Sequence, residues 1–205
     1  MTHRRALRHL READPVLGSL IDRVGPFRLV PRAEGTHFDY VVRCIVGQQL
    51  SGKAAATIYG RVVALGAGRP PTPAEFIKTP DAKLRAAGLS GRKTEYVKEL
   101  AARTHRKDIA IDRLHEMTDD EVMAELVSVR GIGRWTAQMF LMFRLGRPDV
   151  FPELDLGVQK GAQRLLKMRK LPTPKKLAKI GERWAPYRTY AAWYLWRILE
   201  IPDPT

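Results

Sequence analysis

The chain has 205 residues, with 36 lysines and arginines against 22 aspartates and glutamates, and its formal charge at pH 7 is +14. Its one cysteine, Cys44, excludes a disulfide framework and a four-cysteine iron–sulfur cluster. No apolar run approaches the roughly 18 residues of a membrane span and no signal-peptide pattern opens the chain, so we expect an intracellular protein. The charge favours a polyanionic partner, because neutralised phosphates release counterions. The length suffices for one sizeable core or two small helical lobes.

Helix start signals recur along the first half of the chain. Each combines a capping side chain with a proline or an apolar period of 3.6 residues after it, at Asp14-Pro15, Thr36, Ser51, Thr72-Pro73 and Thr79-Pro80. The helix after Thr36 has an apolar face that we expect to be core: Phe38, Val41, Val42, Ile45 and Val46. No convincing alternation of period two appears anywhere. The chain is therefore predicted to be all-α.

Two polar stretches interrupt this pattern. Gly47 is followed by Gln48, Gln49, Leu50 and Ser51, which by their chemistry alone favour a polar turn between helices. Further on, Arg92 and Lys93 lie near the start of a predicted helix. That position suits a bound phosphate, and it suits a solvated charged turn equally well.

A helical hairpin is predicted over residues 118–143. Thr118 and Glu121 have the spacing of a capping box at the start of its first helix. Gly131 and Gly133 then allow the chain to reverse, since glycine takes positive φ freely. The unpaired N–H groups at the start of the second helix suit a phosphate oxygen. The candidate DNA contacts of this hairpin are Gly131, Gly133, Arg134 and Thr136; the alternative is an ordinary helix–helix turn.

Five sequence blocks, in order, resemble the helix–hairpin–helix superfamily of DNA glycosylases. They are residues 14–27, 38–51, 88–93, 126–161 and 183–191, so that the resemblance extends from about Leu7 to Leu199. Within the superfamily the chain is most similar to the alkylated-base branch, the 3-methyladenine DNA glycosylase II type.

The resemblance implies an all-α fold of two helical lobes, with DNA and the base pocket in the cleft between them. Residues 1–205 then form a single glycosylase unit. Its central lobe is 37–145, ending in the helix–hairpin–helix motif at 119–145, and its second lobe is 1–36 with 146–205. Larger relatives carry an additional N-terminal β-domain, for which the residues before Phe38 leave no room.

The resemblance also implies which residues act on the base. Asp155 matches the catalytic aspartate; the alternative is that it only caps helix 156–168. Trp135 stands where lyase-competent relatives have a lysine, which implies a monofunctional enzyme. Trp135, Met139 and Trp196 match positions of the base pocket, although Trp196 suits core packing equally well.

The remaining implications concern DNA and ions. The block Gln48-Gln49-Leu50-Ser51 supplies a wedge for the gap left by a flipped nucleotide, with Gln49 or Leu50 as the plug. The main-chain carbonyls of Val127, Val129 and Ile132 match a site for Na⁺ or K⁺, and no cofactor is required. We expect a monomer in the cytoplasm, associated with the nucleoid, that excises alkylated bases such as 3-methyladenine and 7-methylguanine from double-stranded DNA. The alternatives are a non-catalytic helix–hairpin–helix DNA-binding module and a glycosylase for oxidised or mismatched bases.

Overall fold

The structure, a computed structural model, describes residues 3–66 and 68–202. These residues form helices and no strand, which confirms the all-α prediction. In chain order the α-helices are α1 His3–Ala13, α2 Pro15–Val24, α3 His37–Gly47, α4 Gly52–Ala64, α5 Pro73–Lys78, α6 Asp81–Ala86, α7 Gly91–Arg106, α8 Asp119–Val127, α9 Arg134–Phe143, α10 Leu156–Leu165, α11 Pro174–Gly181 and α12 Arg188–Arg197. Two short 3₁₀ turns lie at Ile111–Glu116 and Glu182–Trp184. None of these helices is both long and apolar enough to cross a membrane.

Most of the predicted helix starts are confirmed. The Asp14 carboxylate accepts hydrogen bonds from the backbone N–H groups of Val16 and Leu17 at the start of α2. Ser51 caps α4 through its side chain. Complete capping boxes, in which two side chains satisfy backbone donors reciprocally, start α3, α5 and α8 at Thr36, Thr72 and Thr118. Caps of this kind depend on neighbours in the sequence, which is why the sequence predicts them.

The cap predicted at Thr79 is wrong. The Thr79 hydroxyl donates to the carbonyl of Glu75 at 2.7 Å, and its backbone N–H donates to the same carbonyl at 2.9 Å. Thr79 therefore closes α5, and α6 begins after Pro80 without a side-chain cap. The connection between α5 and α6 is so short that the Thr79 hydroxyl, which could have capped the start of α6, instead bonds a carbonyl at the end of α5.

Residues 32–140 pack as one compact unit, called here the continuous unit. The apolar face of α3 is buried in its core as predicted, together with Phe76 of α5, Leu84 of α6 and Leu100 of α7. Helix α7 packs against α3, α5 and α6. This unit contains α8 and nearly all of α9, so it holds the predicted hairpin.

The described residues up to Pro31 and from Leu141 onwards form the other unit, called here the split unit. The resemblance places the lobe boundaries at 37 and 145, whereas the backbone divides at 32 and 140, within α9. In the split unit α1 packs against α2, and α12 packs against α10. The buried Trp184 indole donates to the Asp14 carboxylate at 3.0 Å, which joins the two segments of this unit.

Candidate active site and nucleic-acid interface

The hairpin of the continuous unit has the predicted form. Helix α8 ends at Val127, and the carbonyl of Ser128 accepts a hydrogen bond from Arg103 at 2.7 Å. The Ile132 N–H donates to the carbonyl of Val129 at 3.0 Å, and Gly131 has φ of +88°. The chain thus reverses before α9 begins at Arg134. Helix α9 has no acidic residue in its first turn, which suits an approaching phosphate.

The two glycines of the hairpin differ in their surroundings. A Cβ atom on Gly131 would lie 2.2 Å from the ring of Tyr96, a residue of α7, so the aromatic ring packs directly on the glycine backbone. A Cβ atom on Gly133 would meet nothing within 4 Å. Gly131 is therefore required by the fold, whereas Gly133 leaves open space beside the start of α9.

The stretch after Gly47 is tied to this hairpin. The Gln48 side-chain amide donates to the Gly131 carbonyl at 2.9 Å and to the Thr136 hydroxyl at 3.4 Å. Thr136 is buried, so its side chain serves this contact rather than the surface. Gln49 has φ of +58°, a left-handed conformation that is uncommon for a residue other than glycine. Gln49 is exposed, and Leu50 is 38% exposed.

Lys93 supports the same turn from α7. Its ammonium group donates to the carbonyls of Val46 at 2.7 Å and Gln48 at 2.8 Å, which lie at the C-terminal end of α3. Burial lowers the pKa of Lys93 below its ordinary value because the charged form loses hydration. Two of its three donors thus serve the protein itself. Arg92 and Ser51 are exposed, and Ser51 also caps α4.

The first turns of α9 present an aromatic side chain. Trp135 is 37% exposed, an unusually large fraction for a tryptophan, and Met139 lies one turn later at 8%. Arg134 and Gly133 precede them and are exposed. This end of α9 therefore combines a π face, a cation and accessible backbone.

The proposed cation ligands are oxygens of the same hairpin. The carbonyl of Val129 already accepts the Ile132 N–H, but a carbonyl oxygen has two lone pairs and can also ligate an ion. Main-chain carbonyl oxygens are ligands that K⁺ takes in proteins, so the chemistry of the Val127, Val129 and Ile132 carbonyls is compatible with a monovalent cation.

Asp155 lies in the split unit, at the N-cap of α10. Its Oδ1 atom accepts hydrogen bonds from the Val158 backbone N–H at 2.9 Å and from the Trp196 indole N–H at 2.8 Å. Asp155 is only half-buried. The cap role and the catalytic role weighed from the sequence are compatible, because the cap itself fixes the direction of the carboxylate.

The Trp196 side chain is held from two further sides. Its ring stacks on Phe143, the last residue of α9, with a centroid separation of 5.7 Å and an interplanar angle of 27°. A Cβ atom on Gly157 would lie 2.8 Å from Trp196 and 3.0 Å from Asp155 Oδ1, so only glycine leaves room for this contact. Gly161, one turn later, lets α10 approach the backbone of α12 at Leu195.

Four residues that support the site were not predicted from the sequence. Gly157 and Gly161 could have been found, since two glycines four residues apart on a helix often indicate that another helix packs closely there. Tyr96 and Phe143 could not, because their partners come from distant parts of the chain.

A glycine hairpin between two helices, followed by an aspartate that caps the next helix, defines the helix–hairpin–helix class of DNA repair proteins. Residues 42–186 match the HhH-GPD superfamily base excision DNA repair proteins. The chain belongs to this family.

Relatives and solved structures agree with this membership. The chain is 34% identical to DNA-3-methyladenine glycosylase 1 of Schizosaccharomyces pombe, over 96% of this chain and 88% of that one. It is similar to a structure of the 3-methyladenine DNA glycosylase from that yeast in complex with abasic DNA, with a TM-score of 0.84, 32% identity and coverage of 98% and 99%. A DNA-3-methyladenine glycosidase structure from Bacillus halodurans has a TM-score of 0.83 and 36% identity, and the alignment covers 94% of this chain and 88% of that one.

Proposed function

We propose that this protein is a DNA glycosylase that excises alkylated bases, such as 3-methyladenine and 7-methylguanine, and thereby initiates base excision repair. One observation carries the proposal: the Asp155 carboxylate is fixed at the N-terminus of α10 by two N–H donors that both bind Oδ1. The relatives described above carry the name of 3-methyladenine DNA glycosylases or glycosidases, which supports the same class of reaction here.

The reaction breaks the bond between C1′ and the base nitrogen. The electron pair of this bond leaves with the base, and positive charge gathers on the sugar until water adds at C1′ and loses a proton. Asp155 stabilises this charge and orients the water. Purine nucleotides alkylated at N3 or N7 are cationic and their bases leave readily, so they need little help from an acid.

The base itself meets the hairpin end of the continuous unit. Trp135, which is 37% exposed, offers an indole that attracts a cationic purine, and Met139 follows it one turn later on α9. The resemblance places Trp196 in the base pocket as well. Because its indole N–H donates a hydrogen bond to Asp155, we assign it instead the role of positioning the carboxylate. Since Trp135 replaces the lysine of lyase-competent relatives, the product is an abasic site in an intact strand.

The substrate is double-stranded DNA, from which the target nucleotide is flipped. Gln49 or Leu50 fills the gap, on a turn anchored by Gln48 and Lys93. Gly131, Gly133, Arg134 and Arg92 lie along the DNA backbone. Na⁺ or K⁺ held by the carbonyls of Val127, Val129 and Ile132 would add positive charge there. The protein acts as a monomer in the cytoplasm, at the nucleoid.

Base release from methylated duplex DNA tests this function. We expect free 3-methyladenine or 7-methylguanine from the wild type, and release at least about a hundredfold slower from Asp155→Asn, as for loss of another electrostatic catalytic group. Glu153→Gln is the matched control, since it neutralises a carboxylate of the same loop, and it should retain release. Tight DNA binding without release by the wild type would instead favour the non-catalytic module.

A further inference from the structure

The segment from α10 to α11 concentrates positive charge. Residues 156–181 include eight lysines and arginines and no aspartate or glutamate, so they carry more than half of the formal charge of +14. The nearest acidic residues along the chain are Asp155 before this segment and Glu182 after it. Lys176 lines one surface depression with Arg169 and Lys170 and another with Lys179, so these charges also lie together in the fold.

One of these cations is used inside the protein. Arg164 is partly buried, and its guanidinium donates to the carbonyls of Ile198 and Ile201 beyond the end of α12. It satisfies the final turn of the split unit and is not available to a ligand.

The other cations of the segment are exposed. We call six of them the cationic face: Lys167, Arg169, Lys170, Lys175, Lys176 and Lys179. Among residues 3–66 and 68–202, no hydrogen bond or ion pair is made by their side-chain charges. Like charges held close together repel one another, and a polyanion is the ligand that relieves this repulsion.

The shape of this face suits a nucleic-acid strand. The loop between α10 and α11 surrounds a shallow depression of about 460 Å³, with Met168, Leu171 and Pro172 as its apolar lining. Arg169 and Lys170 of the cationic face line the same depression. A sugar–phosphate backbone alternates apolar deoxyribose with anionic phosphate, so it matches both kinds of lining.

The distance from the catalytic residue also suits DNA. Helix α10 begins directly after Asp155 and has ten residues, which makes it about 15 Å long. Double-stranded DNA carries one phosphate per roughly 1.7 Å of its axis. When Asp155 faces the C1′ atom of a target nucleotide, the cationic face, which begins two residues beyond the end of α10, thus lies within reach of phosphates several nucleotides away.

We propose that the cationic face binds the sugar–phosphate backbone of duplex DNA flanking the nucleotide at Asp155. This inference rests on the proposed function for the position of the DNA. It adds a second DNA contact, in the split unit, to that of the hairpin in the continuous unit.

The test compares two variants that lose the same formal charge. The first is Lys170→Gln with Lys175→Gln and Lys176→Gln. The control is Arg4→Gln with Arg5→Gln and Arg8→Gln, which neutralises three exposed cations of α1 in the same unit. Affinity for an undamaged 24-base-pair duplex is measured by fluorescence anisotropy from 50 to 200 mM KCl, where the chemistry of base release plays no part.

The slope of log affinity against log salt should fall by about 2.7 in the first variant, since each phosphate contact contributes roughly 0.9. The dissociation constant at 100 mM KCl should rise at least about tenfold. The control should change far less in both quantities. In single-turnover base release the first variant should need a higher enzyme concentration to reach half of its maximal rate, whereas the control should match the wild type.

Equal salt slopes in the two variants would overturn the inference, because only the total charge would then matter. Unchanged DNA binding, with weakened binding to duplex RNA or to anionic phospholipid vesicles, would also overturn it and assign the face to that polyanion. A failure of the proposed function looks different: the wild type would release no base, while the difference in salt slope would remain.

Discussion

The orientation of the Asp155 carboxylate depends on Trp196, which lies 41 positions further along the chain. The Trp196 N–H reaches Oδ1 only because Gly157 leaves room for the indole and Phe143 supports its ring. A hydrogen bond to a charged group contributes about 1.5–3 kcal/mol. Its loss therefore suffices to change the rate of the chemical step.

Trp196→Phe tests this dependence, since it removes the N–H and keeps an aromatic ring. We expect single-turnover base release to slow about tenfold, which corresponds to roughly 1.4 kcal/mol. Affinity for lesion-containing DNA should remain nearly unchanged, because the N–H acts on Asp155 and not on the base.

Phe143→Leu is the control, because it removes the stacking partner and leaves the indole N–H. It should slow release less than Trp196→Phe does. If Trp196→Phe weakens lesion binding and leaves the rate intact, Trp196 is a wall of the base pocket, as the resemblance alone implied.

Among single residues, the sequence predicted the capping position of Asp155 but not its hydrogen bond with Trp196. The cap of α10 joins residues three positions apart, so spacing reveals it. The bond from Trp196 depends on how closely α10 and α12 approach, and no local pattern encodes that distance. For the same reason the sequence left Trp196 undecided between core and pocket.

The helical hairpin makes different demands on its two glycines. Gly131→Ala would place a Cβ atom against Tyr96 at a residue with positive φ. We expect a loss of about 3 kcal/mol in the free energy of unfolding, measured by urea denaturation.

Gly133→Ala is the matched variant, because its Cβ atom meets only open space. It should change the free energy of unfolding by less than about 0.5 kcal/mol. Its DNA affinity should fall, since a methyl group intrudes where phosphate approaches the start of α9. Equal destabilisation by the two substitutions would show that hairpin geometry, and not Tyr96, decides the requirement.

The turn after α3 depends in a similar way on Lys93. Lys93→Gln removes an ammonium group that binds two carbonyls, so we expect a loss of about 2 kcal/mol in stability and faster amide exchange at Gln49 and Leu50.

Arg92→Gln is the neighbouring control, exposed on the first turn of α7. It should leave stability and exchange unchanged and should weaken only DNA binding. If the Lys93→Gln protein is as stable as the wild type but binds DNA less tightly, Lys93 contacts a DNA phosphate, which is one of the two alternatives that the sequence left open.

The sequence predicted helix boundaries well where they depend on residues close together in the chain, and poorly where they depend on distant ones. The caps predicted at Thr36 and Thr72 and the capping box predicted at Thr118 join residues three apart, and all three are confirmed. Thr79 failed because two short helices compete for one hydroxyl. The carbonyl partners of Lys93 come from another helix, which its own surroundings in the sequence do not reveal.

For the whole molecule, the reaction product distinguishes a monofunctional glycosylase, which leaves the strand intact, from a bifunctional one, which also cleaves it. The segment from Gly131 to Ala137 contains no lysine, and the resemblance implies that Trp135 stands where lyase-competent relatives have the attacking amine. We therefore expect base release without strand cleavage and no covalent protein–DNA adduct after borohydride reduction. Alkali treatment of the same product should cleave the strand at the abasic site. A borohydride-trapped adduct would contradict the monofunctional assignment.

The divided backbone of the split unit has a consequence for how the chain is made. Residues 32–140 form their compact unit from one uninterrupted stretch, so they can fold on the ribosome while later residues are still being translated. Helices α1 and α2 are synthesised before residues 32–140, but they cannot complete their packing until Trp184, which donates to Asp14 from 170 positions further along the chain, has been made. Until α12 has been made, α1 and α2 therefore lack the contacts with that helix, and the Asp155 carboxylate lacks the Trp196 hydrogen bond that orients it.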